Sequence, residues 1–330
     1  MKIVRSDPMH RHHFQDMHVG FFDRFLIKSR REKPAFNRRM FDDDFARLFR
    51  SLTRQSGNLF QVSSNDDELT QRLLGNVKTR YARHRIDETI RELVKEIAQS
   101  LIWLGTAYYF LHDDLEHGDV HVVSFSSTGV VRFFGTHIQW VPKRTKRHWD
   151  RDDEEISREI RILDSAKVMH FEMPRPIKRM LSAQNRTLTV LDQHQFRATD
   201  FHSQATHENP NPTNHFDFRV WSDTQEGALY RATRGTGWNG RKYDSSKRSD
   251  FFDCHRLIRF RRNQLMLRDD ILRQLSVELS RVGRGYNAEY AVEISGTEEL
   301  ASVEQLNDLE ARLSREDVSF AEVVDYCYKR

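Results

Sequence analysis

The chain has 330 residues, more than one average domain, and 38% of them are hydrophobic while 31% are charged. With 22 Phe against 14 Gly and 7 Pro it carries large apolar anchors, which excludes a disordered or fibrous polymer and predicts a sizeable core. The 53 Lys and Arg exceed the 49 acidic residues by only four, and even with a pI of 9.0 that surplus implies no polyanion partner unless basic residues cluster locally.

Two cysteines, Cys254 and Cys327, lie far apart with no C-x-x-C pair. This excludes a zinc ribbon and a disulfide framework, suits a reducing compartment, and reads as two buried thiols. Met1 to Asp7 has no apolar signal region, and no apolar run of about eighteen residues occurs, so a cytosolic protein or a particle assembled there is expected, with no membrane partner.

Along the chain, residues 1–40 read as an extended arm rich in His and Arg, with a basic stretch from Lys28 to Arg39 broken by Pro34. Phe41, Phe45, Leu48, Phe49 and Leu52 recur at helical spacing, and Asp42 to Asp44 suit the start of that helix. A polar linker, Ser63 to Asp67, precedes a second helix. Asp87 to Phe110 reads as the clearest helix of the first half, with Ile90, Leu93, Val94, Ile97, Leu101 and Leu104 on one face before Gly105 interrupts. From Asp119 to Val141 the runs HVVSF, VVRFF and HIQWV predict an antiparallel meander. Lys143 to His148 and Asp150 to Glu155 then place opposite charges back to back in a solvated loop.

Ile160 to Phe171 predicts two short strands around a turn, ended by Pro174 and Pro176. Residues 177–201 are helical by composition. Asn209 to Thr213 is a strong breaker, after which Phe216 to Trp221 alternates as a strand would. Asp250 to Val282 carries the longest helical pattern, with Leu257, Ile258, Leu265, Ile271, Leu272, Leu275 and Leu279 at intervals of three to four and Gly283 and Gly285 as its stop. Tyr290 to Ile294 alternates as a strand, and two helices, about 299–313 and 318–328, close the chain. There is no repeat of fixed period. The pattern predicts a helix-rich α+β fold with a small antiparallel sheet and a long helix near the carboxyl end.

Candidate chemistry is sparse. His10, His12, His13 and His18 are close in sequence but sit on no rigid element that would fix metal ligands. His112, Asp113, Asp114, His117, Asp119 and His121 form a denser set that could feed a metal-dependent hydrolase, although polar residues at a tight turn have the same composition. Gly235-x-Gly-x-x-Gly240 matches a dinucleotide spacing without the helix that should open at its third glycine. No nucleotide-binding P-loop, nucleophile elbow or H-E-x-x-H occurs. What remains is the loop Asn239 to Arg248, where Arg241, Lys242, Lys247 and Arg248 could touch phosphates without reading bases. In one copy this is an ordinary solvated loop; repeated around a ring, the same charges would line a channel.

The order of these segments resembles the phage portal proteins. Asp87 to Leu104 running into Gly105-Thr-Ala-Tyr-Tyr109 is similar to a portal wing helix and its end, Asp119 to Val141 to the wing sheet, and Ile162 to Phe171, with Val168-Met169-His170, to the short strand that follows. By the same resemblance Pro176 to Phe201 would be a stem helix, His202 to Trp238 the clip, Gly240 to Arg248 a tunnel loop facing DNA, and Asp250 to Val282 the long wing helix. Asn307 to Glu322 resembles the terminal helix, turn and helix. Thr106 departs from the usual Asn, and the Gly-x-Ser-Pro turn after the Val-His strand is missing.

The resemblance implies four segments: an amino-terminal arm with helices (1–86), wing helix and sheet (87–175), stem, clip and tunnel loop (176–250), and long wing helix with strand and terminal helices (251–330). It implies a non-enzymatic protein without cofactor that forms a closed ring of about twelve copies through heterologous interfaces. Its expected partners are other copies of itself, double-stranded DNA held without sequence preference through Arg241, Lys242, Lys247 and Arg248, terminase, and head and neck proteins. Its expected place is the virion, after assembly in the host cytoplasm. Two other readings stand beside it: a nucleic-acid-binding protein of defence or replication type using Lys28 to Arg39 and Lys143 to Arg147, and a metal-dependent hydrolase centred on His112 to His121.

Overall fold

A computed structural model describes residues 2–10, 36–49, 58–78, 85–114, 119–143, 158–208, 218–240 and 250–329. The first elements are β1 (Lys2–Arg5), α1 (Phe36–Phe45), β2 (Phe60–Ser64), α2 (Asp67–Gly75), β3 (Val77–Lys78), α3 (Ile86–Leu104), β4 (Thr106–Asp114), β5 (Asp119–Phe125), β6 (Val130–Phe133) and β7 (Thr136–Val141). There follow β8 (Glu159–Leu163), β9 (Val168–Glu172), α4 (Arg175–Glu208), α5 (Phe218–Ala232), α6 (Asp250–Gly283), β10 (Val292–Gly296), α7 (Val303–Ser314) and α8 (Phe320–Lys329). The fold is helix-rich α+β, as the periodicities predict. No helix among the described residues is long and apolar enough to cross a membrane.

The chain divides into two compact units that interleave along the sequence. One comprises Met1–Arg31, Gly57–Met173 and Arg268–Thr297 and holds the strands; the other comprises Glu32–Ser56, Pro174–Leu267 and Glu298–Arg330 and is helical. The boundary falls within α6, between Leu267 and Arg268.

The strand-bearing unit contains two four-stranded sheets, ordered β1-β8-β7-β6 and β3-β5-β4-β9, and a ribbon of β10 and β2. Pairings are antiparallel except β1 with β8 and β3 with β5. Strand β4 explains the arrangement. Every residue from Ala107 to Leu111 is buried, because α3 covers one face with Ile90, Leu93, Val94, Ile97, Ala98 and Leu101. On the other face Tyr108, Phe110, Phe125, Val130, Leu163 and Val168 form one apolar cluster drawn from both sheets.

A strand buried on both faces loses its alternation, so TAYYFL reads like a helix continuation and the predicted helix overran to Phe110. In the fold α3 stops at Gly105, whose φ of 83° is left-handed and whose N–H donates to the Leu101 carbonyl at 2.8 Å. The predicted single meander is likewise two pieces. HVVSF pairs with β4, whereas β6 and β7 form a hairpin in the other sheet beside β8. The crossing passes Gly129, where an added Cβ would sit 2.8 Å from the Trp140 carbonyl oxygen.

Strand β9 is an edge, and α6 covers it with side chains rather than with another strand. Gln274 takes the Glu172 N–H at 2.9 Å and returns its own amide to the Glu172 carbonyl at 2.9 Å. Glu278 accepts from the His170 N–H at 3.2 Å, and Arg281 donates to the Val168 carbonyl. Positions 274, 278 and 281 share one helix face, just as 168, 170 and 172 share the period of a strand.

At the carboxyl end of α6, Gly283 packs against Tyr290, which is fully buried and whose hydroxyl lies 2.7 Å from that of Thr70. A Cβ on Gly283 would meet the Tyr290 ring at 2.1 Å. Close packing, rather than a helix stop alone, therefore requires this glycine. The stretch predicted as a polar linker from Ser63 is instead the end of β2, followed by Asp66, which caps α2 by accepting from Leu69 N–H.

In the helical unit α1 packs on α4, and Asn37 donates to the buried Asp192 through both backbone and side chain. Phe41 and Phe45 stack at 5.5 Å and meet Phe260, with Trp238 against Phe41. Asp42 to Asp44 thus lie near the carboxyl end of α1, not at a helix start. Asp42 is buried beside Arg38, and Asp44 accepts from the Trp238 indole at 2.9 Å. Of the stretch Phe216 to Trp221 predicted as strand, residues 216–217 lie outside the described residues and residues 218–221 are helical in α5, whose Leu229 and Tyr230 are buried. The α7 and α8 helices close over Cys254, Ile258 and Leu265, with Cys327 on α8 itself, so both thiols are buried, as expected, and neither is in a disulfide. A capping box between Ser302 and Gln305 starts α7.

The two glycines give a graded test. Gly105→Ala meets nothing within 4 Å and costs only its left-handed backbone, about 1 kcal/mol. Gly283→Ala overpacks Tyr290 and costs roughly 3 kcal/mol. Urea denaturation of both variants checks the order, and equal losses would contradict the packing at Tyr290.

Candidate functional site

The four basic residues singled out by sequence, Arg241, Lys242, Lys247 and Arg248, lie outside the described residues; the platform that carries their loop does not. Between the end of α5 and Gly240 the chain makes a buried turn. The Thr233 hydroxyl lies 2.9 Å from the Leu229 carbonyl and 2.7 Å from the Trp238 carbonyl. Arg256 of α6, itself buried, donates to the Thr233 hydroxyl at 2.6 Å and to the Trp238 carbonyl, with its guanidinium 4.4 Å from the Tyr230 ring centre. Thr236 donates to Gln184 of α4.

The glycines of the G-x-G-x-x-G match serve this packing. Gly237 and Gly240 have φ of 80° and 71°, a Cβ on Gly237 would meet the Arg256 carbonyl oxygen at 2.2 Å, and one on Gly240 would meet Leu229 at 2.5 Å. The next helix opens only at Asp250. The spacing is therefore that of a tight turn against α6, and the turn delivers the chain to residue 241 from a fixed start.

The second candidate, His112 to His121, spans the facing ends of the antiparallel strands β4 and β5. His112 and His121 are register partners across β4 and β5. His112 Nδ1 lies 3.2 Å from Asp7 and its Nε2 2.7 Å from His10 Nε2, so both ring nitrogens are engaged. Asp113 binds the Lys167 ammonium at 2.6 Å and the Tyr286 hydroxyl. Partial burial pulls the Asp113 carboxyl upward, but these two donors outweigh it and hold the group below the usual carboxylate range. His117 lies outside the described residues, as do the side chains of Asp114 and Asp119. Among the described residues no three potential ligands converge on a metal position.

Of the amino-terminal histidines only His10 is described; His12, His13 and His18 are not. Within the basic stretch 28–39, Arg38 pairs with Asp42 at 3.9 Å, and residues 28–35 lie outside the description. Of the stretch 143–147, Lys143 alone is described.

Sequence reasoning missed a buried pair between the two large sheets. His137 of β7 and His170 of β9 have ring centres 5.7 Å apart, and Tyr108 stacks on His170 at 4.6 Å. His137 Nδ1 lies 3.2 Å from the Ser165 hydroxyl, while the buried Nε2 atoms of His137 and His170 have no hydrogen-bond partner among the described residues. Burial, then the neighbouring His170, pushes His137 down to about 4, and burial likewise lowers His170. In THIQWV the apolar Ile138 and Trp140 alternate with His137 and Gln139, which hydropathy alone would turn outward, yet the strand buries His137 and Gln139 instead, and nothing in one sequence paired His137 with His170.

The β6–β7 hairpin ends in the turn Phe134-Gly135, with φ of 45° and 80°. Both values suit the primed turn that matches strand twist, a place where Asn-Gly is favoured. Phe134 is 93% exposed, and Val131 and Phe133 are exposed beside it.

No protein-family model matches the chain, and no curated protein matches it. Among solved structures it is similar to a chain from the neck of an empty GTA particle computed with C6 symmetry, at 10% identity and a TM-score of 0.41, covering 86% of this chain and 85% of that one. It is also similar to an HK97 family phage portal protein from Corynebacterium diphtheriae, at 9% identity and a TM-score of 0.37, covering 84% and 96%. A third likeness is to a chain from the neck of a native GTA particle computed with C12 symmetry, at 11% identity and a TM-score of 0.37, covering 92% and 91%.

The buried histidine pair makes stability depend on pH. The folded-state value of His137 lies below its unfolded value near 6.5, so below that pH the unfolded chain takes up a proton that the fold does not. Stability therefore falls as pH drops from 6.5 towards 4, by roughly 3 kcal/mol from His137 alone. Chemical denaturation of the wild type and His137→Gln at both ends of that window measures it, and an equal acid loss in the two would contradict the assignment.

Proposed function

We propose that the chain is a phage portal subunit: a non-catalytic protein that closes into a ring and passes double-stranded DNA through its centre. The observation that carries the reading is the order of elements that the sequence resemblance requires. A wing helix ends in a glycine and turns directly into a strand, as α3, Gly105 and β4 do. Small sheets follow, then the 34-residue α4, which this reading takes as the stem helix. The buried turn at 233–240 leads to the basic loop, the 34-residue α6 follows it, and α7 and α8 end the chain.

A ring needs surfaces that a lone subunit leaves uncovered. The apolar tip Phe133-Phe134 is costly in water and in a left-handed turn, which supports an interface rather than a solvent role for that hairpin. The buried turn at 233–240 supports the loop role, since a channel lining must present its charges from a fixed point. Arg241, Lys242, Lys247 and Arg248 would then contact phosphates around the ring, with motor, head and neck proteins as partners, and the virion as its place after assembly in the host cytoplasm.

Electron microscopy of the purified chain tests ring formation: closed rings of about ten or more copies are expected, and a monomer at high concentration would sink the proposal. Reversing the four charges, by Arg241→Glu, Lys242→Glu, Lys247→Glu and Arg248→Glu together, is expected to leave rings intact and abolish DNA retention. Rings of that variant that still retain DNA would remove the role of the loop.

A further inference from the structure

Residues 2–5, read from sequence as part of an extended arm, form β1 at one edge of the sheet β1-β8-β7-β6, and β6 is its other edge. Strand β1 is held beyond its own ladder. Arg161 donates to the Asp7 carbonyl at 3.0 Å, and the buried Gln139 amide accepts the Met9 N–H at 2.7 Å and donates to the Met9 carbonyl at 3.0 Å.

Both edges are open among the described residues, and the ladders fix which main-chain groups each presents. In the parallel β1–β8 pair Lys2 N–H donates to the Arg158 carbonyl at 3.3 Å, so Lys2 and Val4 bond to β8 while the N–H and C=O of Ile3 and Arg5 point away. In the antiparallel β6–β7 pair Trp140 N–H donates to the Gly129 carbonyl at 2.7 Å, which makes Val131 and Phe133 the bonded residues and turns the groups of Val130 and Arg132 outward. Neither strand contains proline, and both registers run without a bulge, so the usual devices that blunt an edge are missing from both. Their side chains are open too, with Ile3 64%, Val131 50% and Phe133 60% exposed.

Direction and chemistry fit the two edges to each other. Strand β6 is antiparallel to β7, β7 is antiparallel to β8, and β1 is parallel to β8, so β1 and β6 run the same way; each has four residues. Set beside β1 of a second copy, β6 makes a parallel pair in which Arg132 N–H meets the Ile3 carbonyl and Arg5 N–H meets the Arg132 carbonyl. In that register Val131 faces Ile3 and Phe133 faces Arg5, an apolar pair and a guanidinium beside an aromatic ring. Both pairs fall on the sheet face that carries the half-buried Ile160, Ile162 and Ile138, so one apolar face continues across the junction.

We propose that β6 of one copy pairs with β1 of the next, joining their sheets into one. The proposal rests on the ring reading and names a contact within it. That contact is heterologous: each copy gives one edge and receives the other, so a single step repeats from copy to copy as a ring requires. Pairing of β6 with itself about a two-fold axis would stop at a dimer and leave β1 bare.

Ile3→Cys and Val131→Cys in the same chain test the pairing. Within one chain these positions lie three strand spacings apart, about 14 Å, whereas across the junction they are neighbours. The native thiols are buried. A short bismaleimide is expected to turn the double variant into a ladder of covalent multimers on a denaturing gel, while each single variant stays at one chain length. Adding Arg132→Pro removes an outward N–H that β7 does not use, and should lower the linked fraction roughly tenfold, the effect of one main-chain hydrogen bond. Arg132→Ala keeps that N–H and should retain the ladder; Arg5→Pro makes the same test from the other edge if Arg132→Pro misfolds. Closed rings by electron microscopy that yield no linked multimers would overturn the pairing and leave the ring reading standing. Linked dimers from Val131→Cys alone would overturn it in favour of β6 pairing with itself, whereas a ladder without closed rings would uphold the pairing and remove the ring.

Discussion

The constraint on which much of this structure depends is that one helix, beside its buried apolar stripe, carries polar side chains that address main chain. Along α6, Arg256 serves the Trp238 and Tyr230 carbonyls, Arg261 the Leu48 carbonyl, and Gln264 the carbonyls of Asp44, Phe45 and Arg47. Further on, Gln274, Glu278 and Arg281 serve the edge of β9. Each partner is a backbone group at a helix end, a turn or a sheet edge, where ordinary secondary structure leaves donors and acceptors unmatched. A buried unmatched group costs about 1–3 kcal/mol, so these side chains offset losses that the irregular segments would otherwise impose.

This arrangement connects the fold to the proposed function. The first part of α6 belongs to the helical unit and fixes the turn from Thr233 to Gly240; the last part belongs to the strand-bearing unit and closes the β9 edge. The same helix that terminates a sheet thus also anchors the segment entering the basic loop. In the proposed ring, a loop lining a channel would gain its precision from Arg256 and Gly237 rather than from its own residues. Among the exposed apolar side chains of the described residues, those at the Phe133-Phe134 tip are the ones that a neighbouring subunit of the proposed ring would cover.

Much of the fold was legible because helices with one apolar stripe announce themselves. The α3 stripe from Ile90 to Leu101 and the α6 pattern from Ile258 to Leu279 match the buried positions closely. Tyr108 to Leu111 was not legible as strand, because burial on both faces erases the alternation that identifies one. Nor was the partition of Asp119 to Val141 between two sheets, since pairing partners are chosen by tertiary packing. Asp42 to Asp44 misled because acidic residues suit a helix start by electrostatics, yet here Asp44 answers the Trp238 indole. At the site, composition pointed to the basic loop but could not reveal its platform, because Arg256, Thr233 and Gln184 meet only in three dimensions. The engagement of His112 by His10 and Asp7 likewise spans more than a hundred positions of sequence.

Amide hydrogen exchange at single-residue resolution tests most directly whether α6 side chains stand in for a missing strand. In Gln274→Ala and Glu278→Ala the Glu172 and His170 amides, respectively, should lose protection while those of Phe110 and Leu111 in the neighbouring strand keep theirs. Unchanged protection at Glu172 and His170 would mean that the β9 edge is satisfied by something other than this helix, and the account built on α6 would fail.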